Sequence, residues 1–144
     1  MNSDNRKRHE RSARAVAGLI VQLSGLVNSI SLAGGLKSSQ WSALRFVASA
    51  NKSARTIAGF ARLNRTTLSS ASQTIDTLVR KGLITKKVGE GSDKRVRTLE
   101  LTEQGRMQLA SDPLYEITQS LVILSDSDLR KMAAVIRHLL SDNT

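Results

Sequence analysis

The sequence predicts a mainly α-helical fold with one small β-hairpin. Three observations carry that prediction. Apolar residues recur at spacings of three and four in several separate stretches, the mark of helices with one buried face. Only 3% of the 144 residues are aromatic, so a core must be built from Leu, Ile, Val and Ala. Such a core suits packed helices better than a large sheet, where β-branched and aromatic residues gather. One segment alone, residues 83–101, alternates like two strands about a Gly-rich polar loop. The length is that of one ordinary domain, and the 40% hydrophobic content can bury a core without disulfides or a metal.

Residues 1–12 are polar and charged and read as a mobile arm that grades into the first helix. That helix is expected from about Ser12 to Ala33, with a glycine stop at Gly34-Gly35. Ser38 or Ser39 can cap a second helix through about Ala50, with Trp41, Leu44, Val47 and Ala48 inward. Asn51-Lys52-Ser53 reads as a turn. Thr56 can cap a short third helix carrying Ile57, Phe60, Ala61 and Leu63. After Asn64-Arg65, Thr66 or Thr67 can cap a fourth helix with the apolar stripe Leu68, Ala71, Ile75 and Leu78, ended by Gly82. Leu83 to Val88 and Val96 to Leu101 read as the two strands of a hairpin. The polar loop from Gly89 to Arg95 gives it a charged tip.

Thr102 can cap a fifth helix that passes or breaks at Asp112-Pro113, since Pro is tolerated at the first helical position. Ser125-x-x-Asp128 resembles a capping box ahead of a last helix with Leu129, Met132, Ala133, Ile136, Leu139 and Leu140 on one face. Met107, Met132 and Trp41 read as core residues.

Net charge is +10, which implies an anionic partner, nucleic acid or a membrane surface. The charge is uneven. Residues 1–14 carry five basic groups against two acidic ones, and residues 55–106 carry eleven against five. No charge falls between Arg14 and Lys37, so residues 15–36 have the length of a membrane span or signal segment. Their pattern argues against both. Val16, Leu19, Ile20, Leu23, Leu26, Val27 and Ile30 form one stripe, with Gln22, Ser24, Asn28 and Ser29 between them. A span would be apolar all round, so no membrane partner is expected.

The chain has no Cys, which excludes disulfides and thiolate-bound zinc and is compatible with a cytoplasmic protein. His138 has no second ligand nearby and is not a metal site. Gly89-x-Gly91 leads into a strand, so it is a turn and not a phosphate loop. No nucleophile–base pair is present; neither enzyme chemistry nor a cofactor is expected.

Two short helices followed directly by a charged hairpin form a winged helix-turn-helix. A B-form major groove admits one α-helix, which must bury one stripe and show the groove hydrogen-bonding groups. Away from its apolar stripe the fourth helix shows Ser69, Ser70, Ser72, Gln73, Thr74 and Thr77, with Thr66 and Thr67 at its start. Gln can bond adenine in bidentate fashion, and Ser or Thr can meet bases or phosphates. A merely solvated helix face would more often hold Glu and Lys, which are better helix formers. Arg65 leads the helix, and Arg80 and Lys81 trail it as phosphate neighbours. Lys94, Arg95 and Arg97 lie at or beside the hairpin tip, and Arg suits a narrow, electronegative minor groove. Asp93 can pair with Arg95 and hold it in place.

These segments resemble the MarR family of regulators. Thr56-Ile57-Ala58 through Leu78-Val79-Arg80-Lys81-Gly82-Leu83-Ile84 is similar to its helix-turn-helix. Asp93-Lys94-Arg95 through Leu101-Thr102-Glu103-Gln104-Gly105 is similar to its D-x-R wing followed by L-T-x-x-G. Gln40 to Arg45 resembles its second helix. The turn Asn64-Arg65-Thr66-Thr67 departs from the family by lacking a glycine, so the recognition helix could start as late as Ser69.

The resemblance implies double-stranded DNA as partner, Arg95 as the wing arginine, and a homodimer formed by the N- and C-terminal helices. It implies residues 1–37 as arm and dimerisation helix, 38–105 as DNA-binding lobe and 106–144 as C-terminal dimerisation helices. It also implies a repressor on a palindromic operator, with a cleft that can hold a small aromatic effector. The alternative is a non-specific or architectural nucleic-acid binder. Single-strand RNA readers stack bases on aromatics, and this chain has one Trp, one Tyr and two Phe.

Overall fold

A computed structural model of the protein describes residues 2–89 and 97–143. The chain divides into two compact units, the first up to Ser38 and the second from Ser39 onward.

The first unit is dominated by α1 (Ser3–Ala33), 31 residues long and therefore about 46 Å. It begins nine residues before the expected Ser12, so residues 3–12 are helix and not an arm. The reason is local. Arg, Lys and Glu are good helix formers, Arg6 pairs with Glu10 one turn on at 3.3 Å, and Asp4 sits in the first turn, at the positive end of the helix dipole. The expected glycine stop holds: Gly34 is the C-cap and Gly35 takes φ +100°, where a side chain would be strained. Ser12, Ser29 and Ser31 donate to the carbonyls of Arg8, Gly25 and Val27, so their hydroxyls are satisfied within the helix. By length and composition α1 could cross a membrane. Its apolar stripe is exposed, with Leu19 at 62% and Leu23 at 57%.

The second unit holds α2 (Ser38–Ser49), a 3-10 turn at Lys52–Ala54, α3 (Ile57–Leu63) and α4 (Leu68–Arg80). The hairpin β1 (Ile84–Val88) and β2 (Arg97–Leu101) follows, then α5 (Glu103–Leu109), α6 (Leu114–Leu121) and α7 (Asp126–Asp142). Its core is Trp41, Leu44, Val47, Phe60, Ala71, Ile75, Leu78, Ile84 and Leu99, all at most 1% exposed. The Phe46 and Phe60 rings pack at 5.9 Å between centroids, joining α2 to α3. Several residues expected inward point out. Ala48 is exposed, while Ala43 and Phe46 take its place in the core. Leu63 and Leu68, at 58% and 60% exposed, lie at the end of α3 and the start of α4, beyond the reach of the core. Met107 is exposed because α5 turns Gly105 inward instead.

The strands pair antiparallel, with Ile84 opposite Leu101 and Val88 opposite Arg97. β1 begins one residue inside its expected start at Leu83; Val96, the expected start of β2, lies outside the described residues. Leu99 N–H also donates to Arg55 O at 2.8 Å, so the turn after α2 lines the outer edge of β2.

The expected cap Thr102 ties α5 to the end of α4. Its hydroxyl accepts from Gly105 N–H at 2.9 Å and donates to Gly82 O at 2.6 Å, and its own N–H reaches Leu83 O at 3.1 Å. Gly105 is buried so closely that a Cβ there would collide with the Leu83 carbonyl. That contact is the physical content of Leu101-Thr102-x-x-Gly105.

Pro113 is buried and sits one residue earlier than expected, at the N-cap of α6. Asp112 accepts from Leu114 N–H at 2.9 Å and receives Arg45 of α2 in a bidentate pair, both contacts at 2.7 Å. The Arg45 hydrogen bonds hold the Asp112 carboxyl below its ordinary value of 3.8, helped by the Leu114 N–H and opposed by partial burial. A lowered folded-state pKa means stability that is present above the ordinary value and lost as pH falls below it. Asp112→Asn is therefore expected to cost about 1.5–3 kcal/mol in urea unfolding at neutral pH. The gap to wild type should narrow at about pH 3. A gap that stays constant would contradict the assignment.

Ser125 caps α7 as expected, accepting from Asp128 N–H at 3.1 Å. Met132, Val135, Ile136, Leu139 and Leu140 stand 42–59% exposed along α7, so Met132 is not in this chain's core. The helix is amphipathic, and nothing among the described residues of the second unit covers its stripe.

Candidate nucleic-acid interface

The helix-turn-helix is α3, a four-residue turn and α4. Thr56 caps α3, accepting from Gly59 N–H at 3.0 Å. The turn closes with Thr66 N–H on Ala61 O at 3.1 Å and Arg65 N–H on Arg62 O at 3.4 Å. This is the pairing that normally places a glycine in the left-handed conformation after a helix. Here Arg65 supplies it at φ 50°, which accounts for the missing glycine. Thr67 is the cap of α4, accepting from Ser70 N–H at 3.1 Å, so the helix begins at Leu68 and Ser69 lies inside it. Thr66 is half-buried and closes the turn.

Ala71, Ile75 and Leu78 anchor α4 to the core. Opposite them run Ser69, Gln73, Asp76 and Arg80, at spacings of four, three and four. Ser69 and Gln73 are exposed, and their side chains have no partner among the described residues. Thr74 and Thr77 donate to the Ser70 and Gln73 carbonyls, which leaves each a methyl and lone pairs to present outward. Ser70 accepts from the Thr67 hydroxyl at 3.1 Å. Ser72 is half-buried and hydrogen-bonds Asp76. Arg80 reaches Thr77 Oγ1 at 3.1 Å, and Arg65 and Lys81 are exposed. The strongest candidate readers are therefore Ser69 and Gln73.

The α4 exit uses the same closure as α3. Leu83 N–H bonds Leu78 O and Gly82 N–H bonds Val79 O, both at 3.0 Å, with Gly82 at φ +74°. The chain then enters β1 directly, which sets the hairpin beside α4. Arg97 is exposed at the start of β2. Lys94 and Arg95, with Asp93, lie outside the described residues.

Sequence reasoning missed one pair. Lys86 Nζ of β1 lies 2.5 Å from Asp76 Oδ1 of α4. The hydrogen bond from Lys86 holds the Asp76 carboxyl below its ordinary value, opposed by desolvation. The alternation that buries Ile84 also turns Lys86 to the α4 side, a signal present in the sequence, but its partner depends on how the hairpin packs. The next residue, Lys87, turns the other way and pairs with Glu100 at 2.9 Å, which lowers the Glu100 carboxyl.

A cavity of about 520 Å³ opens within the second unit, where Val47, Leu101, Leu109 and Ala110 give an apolar wall and Arg55 and Arg106 a basic one. Arg55 Nε is buried there without a hydrogen-bond partner among the described residues.

Residues 34–95 match the MarR family. No curated protein matches the chain. Among solved structures, the S. aureus MepR–DNA complex aligns over 88% of this chain and 96% of its own, at 22% identity and a TM-score of 0.75. A MarR family transcriptional regulator from Silicibacter pomeroyi aligns over 90% and 87%, at 23% identity and a TM-score of 0.71. CouR from Rhodococcus jostii, bound to p-coumaroyl-CoA, aligns over 86% and 90%, at 18% identity and a TM-score of 0.72. The family match spans the helix-turn-helix, and the chain as a whole shares the winged-helix fold of these solved structures.

Proposed function

We propose that the protein is a cytoplasmic transcriptional repressor that binds a palindromic operator as a homodimer. The observation that carries this reading is the outer face of α4. A Thr67-capped helix, anchored by three buried residues, offers Ser69 and Gln73 to an incoming groove, with Arg65, Arg80 and Lys81 at its two ends. A helix so presented fits one major groove, and a basic hairpin beside it fits the adjoining minor groove. In this reading Thr66, Thr67, Ser70, Ser72, Thr74 and Thr77 shape or support that face. Lys94, Arg95 and Arg97 carry the wing contact.

Residues 38–105 serve as the DNA-binding lobe, and 1–37 with 106–144 as dimerisation helices. The exposed stripes of α1 and α7 support pairing with a second copy. Ser24, Asn28 and Ser29 on the polar side of α1 favour that over a membrane. MepR was solved with DNA and CouR with an acyl-CoA. Operator binding relieved by a small-molecule effector extends the same reading, with the Arg55–Arg106 cavity able to meet an acidic group.

The test is binding by Gln73→Ala and Arg95→Ala, read by anisotropy on matched and scrambled duplexes. Gln73→Ala is expected to cost about 1–3 kcal/mol at the matched site with little change on the scrambled one. Arg95→Ala should weaken both alike. Unchanged affinity in both variants contradicts the reading. Equal wild-type affinity for matched and scrambled duplexes favours a non-specific or architectural binder, which the basic excess over residues 55–106 would also serve.

A further inference from the structure

We propose that Lys86 is a positioning residue for DNA recognition and not a phosphate contact: it is held by Asp76, and the pair fixes the recognition helix against the wing. The inference rests on the DNA-binding reading above and adds a role that the basic hairpin alone would not reveal. A lysine on a DNA-binding hairpin would ordinarily be counted among the phosphate neighbours.

The geometry points elsewhere. Asp76 is the one acidic residue between Leu68 and Arg80, and it lies on the outward row with Ser69, Gln73 and Arg80. A bare carboxylate there would repel the phosphates that flank a groove. Lys86 Nζ meets Asp76 Oδ1 at 2.5 Å, Ser72 adds a hydrogen bond, and Arg80 adds attraction one turn on. Lys86 stands opposite Leu99, which is fully buried, and its side chain is 25% exposed against 61% for Lys87. Its stem therefore runs along the inner side of the hairpin toward α4. To reach a phosphate, Lys86 would have to leave Asp76 and present an uncompensated negative charge to DNA. The link joins the two parts that must enter neighbouring grooves together.

The pair is partly exposed, so its contribution to stability is small, and its role shows in recognition instead. The test uses wild type, Asp76→Asn, Lys86→Met, the double variant and Lys86→Arg. NMR titration of the Asp76 carboxyl reads the pair itself: it should rise toward its ordinary value in Lys86→Met. A titration unmoved by Lys86→Met overturns the pair.

Duplex binding reads the role. Asp76→Asn and Lys86→Met should each lower the matched-over-scrambled affinity ratio on the order of tenfold, and the double variant should be no worse than the poorer single one. Lys86→Arg should restore the ratio, and the salt slope of Lys86→Met should equal that of wild type. A phosphate contact gives the opposite pattern. Lys86→Met then costs the same factor in the wild-type and Asp76→Asn backgrounds and on both duplexes, and the salt slope falls by about one. That result overturns the proposal. Absence of duplex binding by wild type would instead overturn the DNA-binding reading itself, and this role with it.

Discussion

Ile136→Asp is expected to convert a dimer into a monomer and to lower affinity for a two-half-site duplex by about 10²–10⁴-fold. Ile136 lies on α7 between Met132 and Leu140, one turn from each, and all three are 42–48% exposed. Soluble monomers rarely leave so continuous a stripe uncovered, and α1 carries a second one. A carboxylate buried in such a contact would have no partner and would oppose association strongly. Half of a palindrome then binds alone, and the gain from tethering two lobes is lost. Sedimentation equilibrium at low micromolar concentration reads the assembly, and circular dichroism checks that the helices remain. A wild type that sediments at 15.7 kDa contradicts the dimer. So does a variant that stays dimeric with unchanged affinity.

Duplex affinity should fall by about 10³-fold or more between roughly 50 and 200 mM salt, if several basic side chains sit on phosphates. Eleven basic groups lie in residues 55–106, and Arg65, Arg80, Lys81 and Arg97 among them are exposed. Their number exceeds what internal pairing uses: Lys86 is held by Asp76 and Lys87 by Glu100. Each phosphate contact releases condensed counterions, so the logarithm of affinity should fall linearly with that of salt. Anisotropy titrations across the salt range measure the slope. A flat response would mean that the charge of +10 serves another partner.

What could be read from sequence was local. Thr56, Thr67, Thr102 and Ser125 act as caps because a hydroxyl reaches an N–H three residues on whatever surrounds it. Gly35 and Gly82 end their helices because the backbone needs a positive φ there. Arg65 shows the limit of that rule. The turn before α4 needs one left-handed residue, and an arginine supplies it, so the missing glycine did not delay the helix to Ser69.

Periodicity identified faces but not what covers them. Leu68, Met107 and Met132 follow apolar spacing yet are exposed, because spacing says nothing about where a core ends or whether a second chain completes it. The Asp76–Lys86 pair spans two elements, and only the packing of hairpin on helix brings its members together. The early start of α1 came from a charged, helix-favouring segment whose polarity resembles that of an arm.

Selection from a pool of random duplexes tests whether α4 reads a specific operator sequence. The purified protein is incubated with the pool near physiological salt, bound duplexes are recovered, and their sequences are compared over successive rounds. Enrichment of an inverted repeat with half-site centres about one helical turn apart is expected. Gln73→Ala, carried through the same rounds, should lose preference at one position in each half-site. Recovery of duplexes with no shared sequence, or of none above background, would contradict a sequence-reading winged helix.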